Sequence, residues 1–344
     1  MATMRAVVME KKGPAAEALV LHTDWPVPVR KPNQVLIEAA ATCVNAGDWK
    51  VRSGFFPIPI NMPKILGEDV AGLVAEAPEG SKFKKGDRVF ANTGQALKSG
   101  DQGGTYGEFV AADEDTLCLM PPGISFLVAA AVPMAGLTAW QALEPAMPLQ
   151  GKRVLVHGGA GGVGGFAIQI AKAQGAHVTT TCSTRNVEYV TKELGADEAI
   201  DYTAGPWEAA PAAAGARFDA IVDTVGGPYQ AASLRLLAPG GWFSTLGATG
   251  PDVKRVSVLG ILGLMAGAAW RTLLGKLGLG PKFKFVMLEC QAARGLEQLA
   301  ELMAQGKLKV HLDRVFSLEE MVAAHEYAEL GHVRGKVGIT IKKL

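Results

Sequence analysis

The sequence predicts an α/β chain: a β-rich domain first, then a doubly wound parallel sheet. Three features predict it. Short apolar runs punctuated by Pro and Gly fill the first third. From Arg153 onward, apolar strands alternate with amphipathic helices, the pattern of a parallel sheet covered by helices on both faces. Between the first such strand and its helix lies GGAGGVGG (158–165), with six glycines in eight positions.

In chain order, MRAVVM (4–9), QVLIEAAA (34–41), VAGLVA (70–75) and DRVFA (87–91) read as strands. Pro121-Pro122-Gly123 marks a boundary, and helical texture follows in FLVAAAV and LTAWQAL. RVLVHG then leads into the glycine-rich turn and a helix. After it come the strand HVTTTCS, a helix over 187–194, a short strand over 198–201, and the strands FDAIVDTVG and GGWFSTLG. AAPAAAGA (209–216) reads as a helix end and loop. KFKFV (282–286) alternates as a half-buried strand does, LEQLAELMAQG is an amphipathic helix stopped by Gly306, and KVGITI closes the chain as a strand.

A length of 344 residues allows about two domains. With 49% hydrophobic and 19% charged residues, the chain can bury a sizeable core and is not disordered wholesale. A formal net charge of +1 gives no electrostatic reason to expect a nucleic-acid partner. Cys43, Cys118, Cys182 and Cys290 form no CxxC pair, which argues against a disulfide framework or a cysteine-rich zinc lobe. The N-terminal MATMRAVVMEKKG lacks the apolar core of a secretory signal, so a cytoplasmic location is expected. The most apolar window, VSVLGILGLMAGAAW, is shorter than the roughly 20 residues of a spanning helix. A buried or interface helix is expected there, with membrane-surface contact the less favoured reading.

Gly159, Gly161 and Gly164, with Ala160, Gly162 and Val163 between them, satisfy G-x-G-x-x-G directly after an apolar strand and at a helix start. That context makes the pattern the dinucleotide fingerprint of a Rossmann domain. Glycine permits the tight turn, lets backbone approach a pyrophosphate, and brings helix and strand together, while the first N–H groups of the helix face the anion. In NAD binders an acidic residue about 20 positions on holds the ribose 2′-hydroxyl. Here the next strand ends in Ser183, Arg185 and Asn186, groups suited to a 2′-phosphate, so NADPH is expected.

Eight motifs occur in order: NAGDWKVRSG (45–54), LGEDVAG (66–72), GGTYGEFV (103–110), PMAGLTAW (133–140), GGAGGVG (158–164), LGADEAIDY (194–202), DTVGG (223–227) and RGKVGI (334–339). Through them nearly the whole chain resembles the zinc-independent quinone oxidoreductase and enone reductase branch of the medium-chain dehydrogenase/reductase superfamily. The plant and algal chloroplast-envelope homologues look most similar, sharing CSTRN-like and KFKFV stretches. The resemblance implies a GroES-like catalytic domain (1–123 and 289–344) around a Rossmann NADP(H)-binding domain (124–288). It also raises the chloroplast, peripherally on the envelope membrane, as an alternative location.

Alcohol dehydrogenases of the superfamily hold a catalytic zinc with a Cys, a His in a GHE motif and a further ligand. This chain has Glu68 in the place of that His, so no metal is expected. Without zinc, the resemblance implies conjugate reduction of an enone, or reduction of a quinone, by hydride from NADPH. Lys50 and Asn45 then stand where the family places polar groups facing acceptor and nicotinamide, Lys50 replacing a Tyr found in many relatives. A solvated face carrying Lys50 and Arg52 is the alternative. Asp48 reads as a residue that orients this loop. By the same resemblance Thr138, Tyr202, Val225, Leu246 and Gly247 contact the cofactor, Phe55 and Phe56 line an apolar pocket mouth, and KFKFV pairs with its twin in a homodimer. His157 reads as packing or a cofactor neighbour. Two other functional readings stay open at this point: one-electron quinone reduction, and a non-catalytic NADPH-binding protein of the crystallin kind. The segment from Val256 to Leu279 is longer than in compact relatives, and its role is open.

Overall fold

The computed structural model describes residues 2–94, 103–246, 253 and 255–344. The chain divides into two units: Met1–Leu137 with Glu289–Ala304 and Val310–Leu344, and Thr138–Leu288 with Gln305–Lys309. The first boundary thus lies beyond Gly123. The helix Phe126–Ala130 belongs to the first unit because Ala129 and Ala130 are buried there and Leu127 reaches Gly338.

The strands follow in order as β1 (Thr3–Met9), β2 (Leu19–Pro26), β3 (Gln34–Val44), β4 (Lys64–Ile65), β5 (Asp69–Glu76), β6 (Arg88–Asn92), β7 (Phe109–Asp113) and β8 (Leu117–Leu119) in the first unit. The second unit contributes β9 (Arg153–Val156), β10 (His177–Cys182), β11 (Glu198–Asp201), β12 (Phe218–Asp223), β13 (Leu237–Thr245) and β14 (Lys282–Phe285). The chain returns to the first unit with β15 (Leu312–Ser317) and β16 (Lys336–Thr340).

In the first unit one sheet runs β2-β1-β4 and another β15-β16-β3-β5-β6-β8, with β7 also on β3. Strand β3 is buried at all positions but Glu38, because it pairs with β5, β7 and β16. Register then assembles a polar cluster. Gly338 lies opposite Cys43 and Val337 opposite Val44, which brings Lys336 beside Asn45. Asp69 lies opposite Asn92.

The second unit is a six-stranded parallel sheet in the order β11-β10-β9-β12-β13-β14. Val154, Leu155 and Val156 are fully buried, each worth about 1.5–3 kcal/mol of apolar burial. The strand order reverses between β9 and β12, and ligands of such sheets bind outside the carboxyl ends at that point.

The helix expected over 187–194 is present: residues 187–193 are helical, Tyr189–Glu193 as a π-helical turn, after a 3₁₀ turn at Thr184–Asn186. The expectation of a buried helix in the apolar window is corrected. The apolar window forms the helix Val258–Lys276, capped by Ser257, and no residue of it is buried.

Candidate active site

The turn after β9 places Gly158 at φ +69°, where a side chain would meet Thr224 Oγ1 at 2.6 Å. A Cβ on Gly159 would lie 2.1 Å from Thr180 Oγ1, and one on Gly164 would lie 2.2 Å from the Gly158 carbonyl oxygen. These two glycines are required by the protein's own packing. Gly161 is different. It caps the helix Gly162–Ala173 in extended conformation, and a Cβ there would meet only the Gly158 oxygen at 3.5 Å, an ordinary contact. The first-turn N–H groups of Gly162, Val163 and Gly164 have no intrahelical acceptor. The loop therefore offers donors beside a position where glycine leaves room for something other than protein, which is how a pyrophosphate is held.

Around this turn the second unit is tightly ordered. His157 is fully buried, with Nδ1 3.2 Å from Thr181 Oγ1 and Nε2 2.9 Å from Ser233 Oγ. Burial lowers its pKa to about 3, so the imidazole is neutral and packs edge-on to Trp207 and Tyr229. At the end of β12, Asp223 accepts from the N–H groups of Val225 (3.0 Å) and Gly226 (2.8 Å) and from Thr245 Oγ1 (3.0 Å). After β10, Ser183 is half-buried and accepts from Asn186 Nδ2 at 3.1 Å, while Arg185 is exposed. Asp201, in register with Cys182, turns its carboxylate to the hydroxyls of Thr184 (2.6 Å) and Thr203 (2.6 Å). Tyr202 is 47% exposed, Thr138, Val225 and Leu246 are half-buried, and Gly247 lies outside the described residues.

In the first unit, Asn45 caps the helix Ala46–Ser53, and the Asp48 carboxylate reaches back to the Asn45 N–H at 2.8 Å. Asp48 also accepts from Tyr106 Oη at 2.9 Å, and Tyr106 Oη lies 3.2 Å from His325 Nε2. Arg52 Nε donates to His325 Nδ1 at 3.4 Å, and the same guanidinium binds the Gly13 carbonyl and pairs with Glu329. Since Arg52 donates to Nδ1, the imidazole carries its hydrogen on Nε2 and donates to Tyr106. Burial, then the Arg52 charge, holds His325 at about 3, neutral. Arg52 is fully buried and sits on a helix, which removes the reading of Arg52 as a solvated face.

The Asn45 amide is fully engaged: Nδ2 donates to Asp69 Oδ2 (2.9 Å) and Cys43 Sγ (3.6 Å), and Oδ1 accepts from Lys336. Asp69 further accepts from Cys43 Sγ (3.1 Å), Asn92 Nδ2 (2.9 Å) and the Met134 N–H (2.8 Å). Burial disfavours a charge on Lys336, but Cys43, Asp69 and Asp48 outweigh it and hold its pKa above the usual value. Burial, with the charges of Asp48 and Asp69, raises Glu68 to about 8, and burial raises Asp48 to about 7.

Lys50 belongs to the same helix but not to this network. Its Nζ lies 5.1 Å from the Phe55 ring centre and 5.6 Å from that of Trp49, and among the described residues it pairs with no carboxylate. Burial lowers its pKa. Phe55 is buried and packs edge-to-face on half-buried Phe56, with ring centres 4.9 Å apart.

A zinc-binding dehydrogenase family model matches residues 194–337, and an alcohol dehydrogenase GroES-like domain model matches residues 31–122. The chain is 34% identical to the chloroplast envelope quinone oxidoreductase homolog of Arabidopsis thaliana, covering 97% of each chain. The chain belongs to the quinone oxidoreductase branch of the medium-chain dehydrogenase/reductase superfamily. It is also 34% identical to the mitochondrial NAD(P)H oxidoreductase RTN4IP1 of Danio rerio (91% of this chain, 85% of that one) and to the 2-methylene-furan-3-one reductase of Solanum lycopersicum (94% and 76%). The quinone oxidoreductase structure from Coxiella burnetii superposes with a TM-score of 0.82 at 32% identity, covering 99% and 100% of the two chains. A mycobacterial protein solved in complex with NADPH superposes at 0.77 with 27% identity, covering 98% and 100%.

This member of the medium-chain dehydrogenase/reductase superfamily is thus an oxidoreductase that uses a nicotinamide dinucleotide. The glycine cradle fits that cofactor. Among the described residues, those around Cys43 do not fit the zinc named by one family model: the Cys43 thiol donates to Asp69, Glu68 offers a carboxyl whose pKa burial raises to about 8, and the Lys336 ammonium lies 4.0 Å from Asp69. Names of relatives that are chloroplastic or mitochondrial give no support to the cytoplasmic expectation. Lys50, Asn45 and Asp48 stand out in the sequence, whereas Tyr106, His325, Asp69 and Asn92 do not. Lys336, Asp69 and Tyr106 lie within the motifs 334–339, 66–72 and 103–110. His325 carries no local signal, because its partners are distant in the chain.

Proposed function

We propose that this protein reduces α,β-unsaturated carbonyls or quinones with NADPH and without a metal. The observation that carries the proposal is Lys50, an ammonium set between two aromatic rings and paired with no carboxylate among the described residues. A cation so placed has its charge to offer to a substrate. Bound NADPH supplies a hydride. Lys50 meets the acceptor oxygen and offsets the negative charge that develops there as the β-carbon or quinone is reduced. Phe55 and Phe56 give the acceptor an apolar wall. Asn45 acts from behind: its amide ties the start of the helix to Asp69 and Lys336, so Lys50 is positioned before the acceptor arrives.

In the second unit, the N–H groups of Gly162, Val163 and Gly164 bind the pyrophosphate, with Gly159, Ala160 and Gly161 shaping the turn. Ser183, Arg185, Asn186 and Tyr202 hold the 2′-phosphate. Thr138, Val225, Leu246 and Gly247 complete the cofactor contacts. Strand β14 ends its sheet, and pairing with its twin in a homodimer belongs to the same proposal. So does a chloroplast or mitochondrial location, after the relatives.

The test is Lys50→Met with NADPH titrated by fluorescence beside turnover. The reading requires cofactor affinity within about twofold of the parent and a loss of kcat/KM of about 100-fold, the size of one missing charge-stabilising donor. A variant with full turnover would refute the role of Lys50. Tight NADPH binding by the parent without turnover on any enone or quinone would favour the non-catalytic binder.

A further inference from the structure

The Val258–Lys276 helix is apolar on the side it turns to solvent, the reverse of an ordinary surface helix. Its inner side is fixed to the second unit. Ala268 packs on the core beneath, and a Cβ on Gly275 would lie 2.7 Å from the Pro281 carbonyl oxygen just before β14. The Arg271 guanidinium lies 5.6 Å from the Phe283 ring centre and donates to Gln230 at 2.7 Å. The outer side carries Leu259, Leu262, Trp270, Leu273 and Leu277, between 45% and 80% exposed. Their spacing of 3, 8, 3 and 4 residues sets them on one stripe. Charge in this segment has one sign. From residue 253 to 288 there is no Asp or Glu, while Lys254, Arg255, Arg271, Lys276, Lys282 and Lys284 all occur. Of these, Lys284 is paired with Glu144.

We propose that this helix docks the protein on an anionic lipid surface, lying in the interface with its leucine and tryptophan stripe among the acyl chains. The helix is about 28 Å long and apolar enough to cross a bilayer by length and composition. Its lateral attachment to the core and to β14 prevents lipid from surrounding it, so it lies on the membrane rather than spanning it. An apolar stripe, an interfacial Trp and flanking cations are the features that hold a helix on a charged bilayer. A second copy of this chain is the poorer occupant of the stripe, because a stripe docked on its twin finds no Asp or Glu between residues 253 and 288 to meet Arg255 and Lys276. Docking is independent of which acceptor is reduced.

The full-length protein is floated with phosphatidylcholine vesicles and with vesicles containing about one-third phosphatidylglycerol, at low salt and at about 0.5 M salt. Binding to the anionic vesicles alone, reversed by salt, is expected. Arg255→Gln with Lys276→Gln lowers partitioning roughly 30-fold, at about fivefold per cation. Leu259→Gln with Leu273→Gln lowers it by more than about tenfold. All four side chains are exposed, so an unchanged Tm confirms that the variants fold. Failure to float with either vesicle overturns the proposal, as does equal binding to both. Light scattering that shows an oligomer dissociated by the leucine pair, without vesicle binding, would assign the stripe to a second copy and overturn it too.

Discussion

Gly161→Ala separates what the cradle does for the protein from what it does for its ligand. Position 161 has φ −82° and ψ 176°, open to any residue, and the added methyl meets only one protein atom, at 3.5 Å. The stability cost is that of Ala for Gly at a helix N-cap, about 0.5–1 kcal/mol. The methyl lies, however, on the side where a pyrophosphate must approach. Displacing that group by the thickness of a methyl breaks one or two charge-assisted hydrogen bonds, together about 2–4 kcal/mol. NADPH affinity should therefore fall roughly 30- to 1000-fold. Gly164→Ala is the contrast, since its methyl would lie 2.2 Å from the Gly158 carbonyl oxygen and the turn itself must move. It should lose several degrees of Tm as well as affinity. Calorimetric titration with NADPH beside thermal unfolding reads both quantities. Unchanged NADPH affinity in Gly161→Ala would refute the assignment of the cradle.

Three further outcomes follow from the first unit. Glu68 keeps its proton up to about pH 8 in the folded protein but only to its ordinary 4.5 when unfolded, so stability falls as pH rises between those values, by up to about 5 kcal/mol. Glu68→Gln should make the fall in urea midpoints at pH 5, 7 and 9 shallower and leave the share due to Asp48; profiles parallel to the parent's would contradict the burial argument. Tyr106→Phe takes a donor from Asp48 and an acceptor from His325, and should cost about 1–3 kcal/mol while raising the Asp48 pKa further. Carboxyl NMR and denaturation check the two parts. Because burial lowers the pKa of Lys50, kcat/KM should fall with rising pH through a limb below the ordinary lysine value of 10.5. Lys50→Arg should move that limb out of range.

The parallel sheet was readable because its signals are local. β9 and β12 are apolar runs bounded by turn residues, and the cradle combines a strand, glycines and a helix within a dozen positions. Boundaries were less readable: the helix Phe126–Ala130 has Rossmann-like texture, yet its burial lies against the first unit's sheet. The polar cluster was read only in part. Asn45 and Asp48 stand in a motif that the family resemblance marks, but their partners arrive from β5, β6, β16 and a helix near the C-terminus. Strand register assembles that cluster, and no pattern within one segment encodes it. The Val258–Lys276 helix misled for the opposite reason, since hydrophobicity alone does not say whether protein covers it.

The central claim is metal-free, NADPH-dependent reduction supported by Lys50. Its most direct measurement is NADPH oxidation at 340 nm after dialysis against a chelator, with a short alkenal, a bulky enone and a benzoquinone, beside NADH and beside Lys50→Ala. Turnover that survives chelation, prefers NADPH and falls about 100-fold in the variant is expected. Activity lost on chelation and restored by zinc, or undiminished in Lys50→Ala, would contradict it.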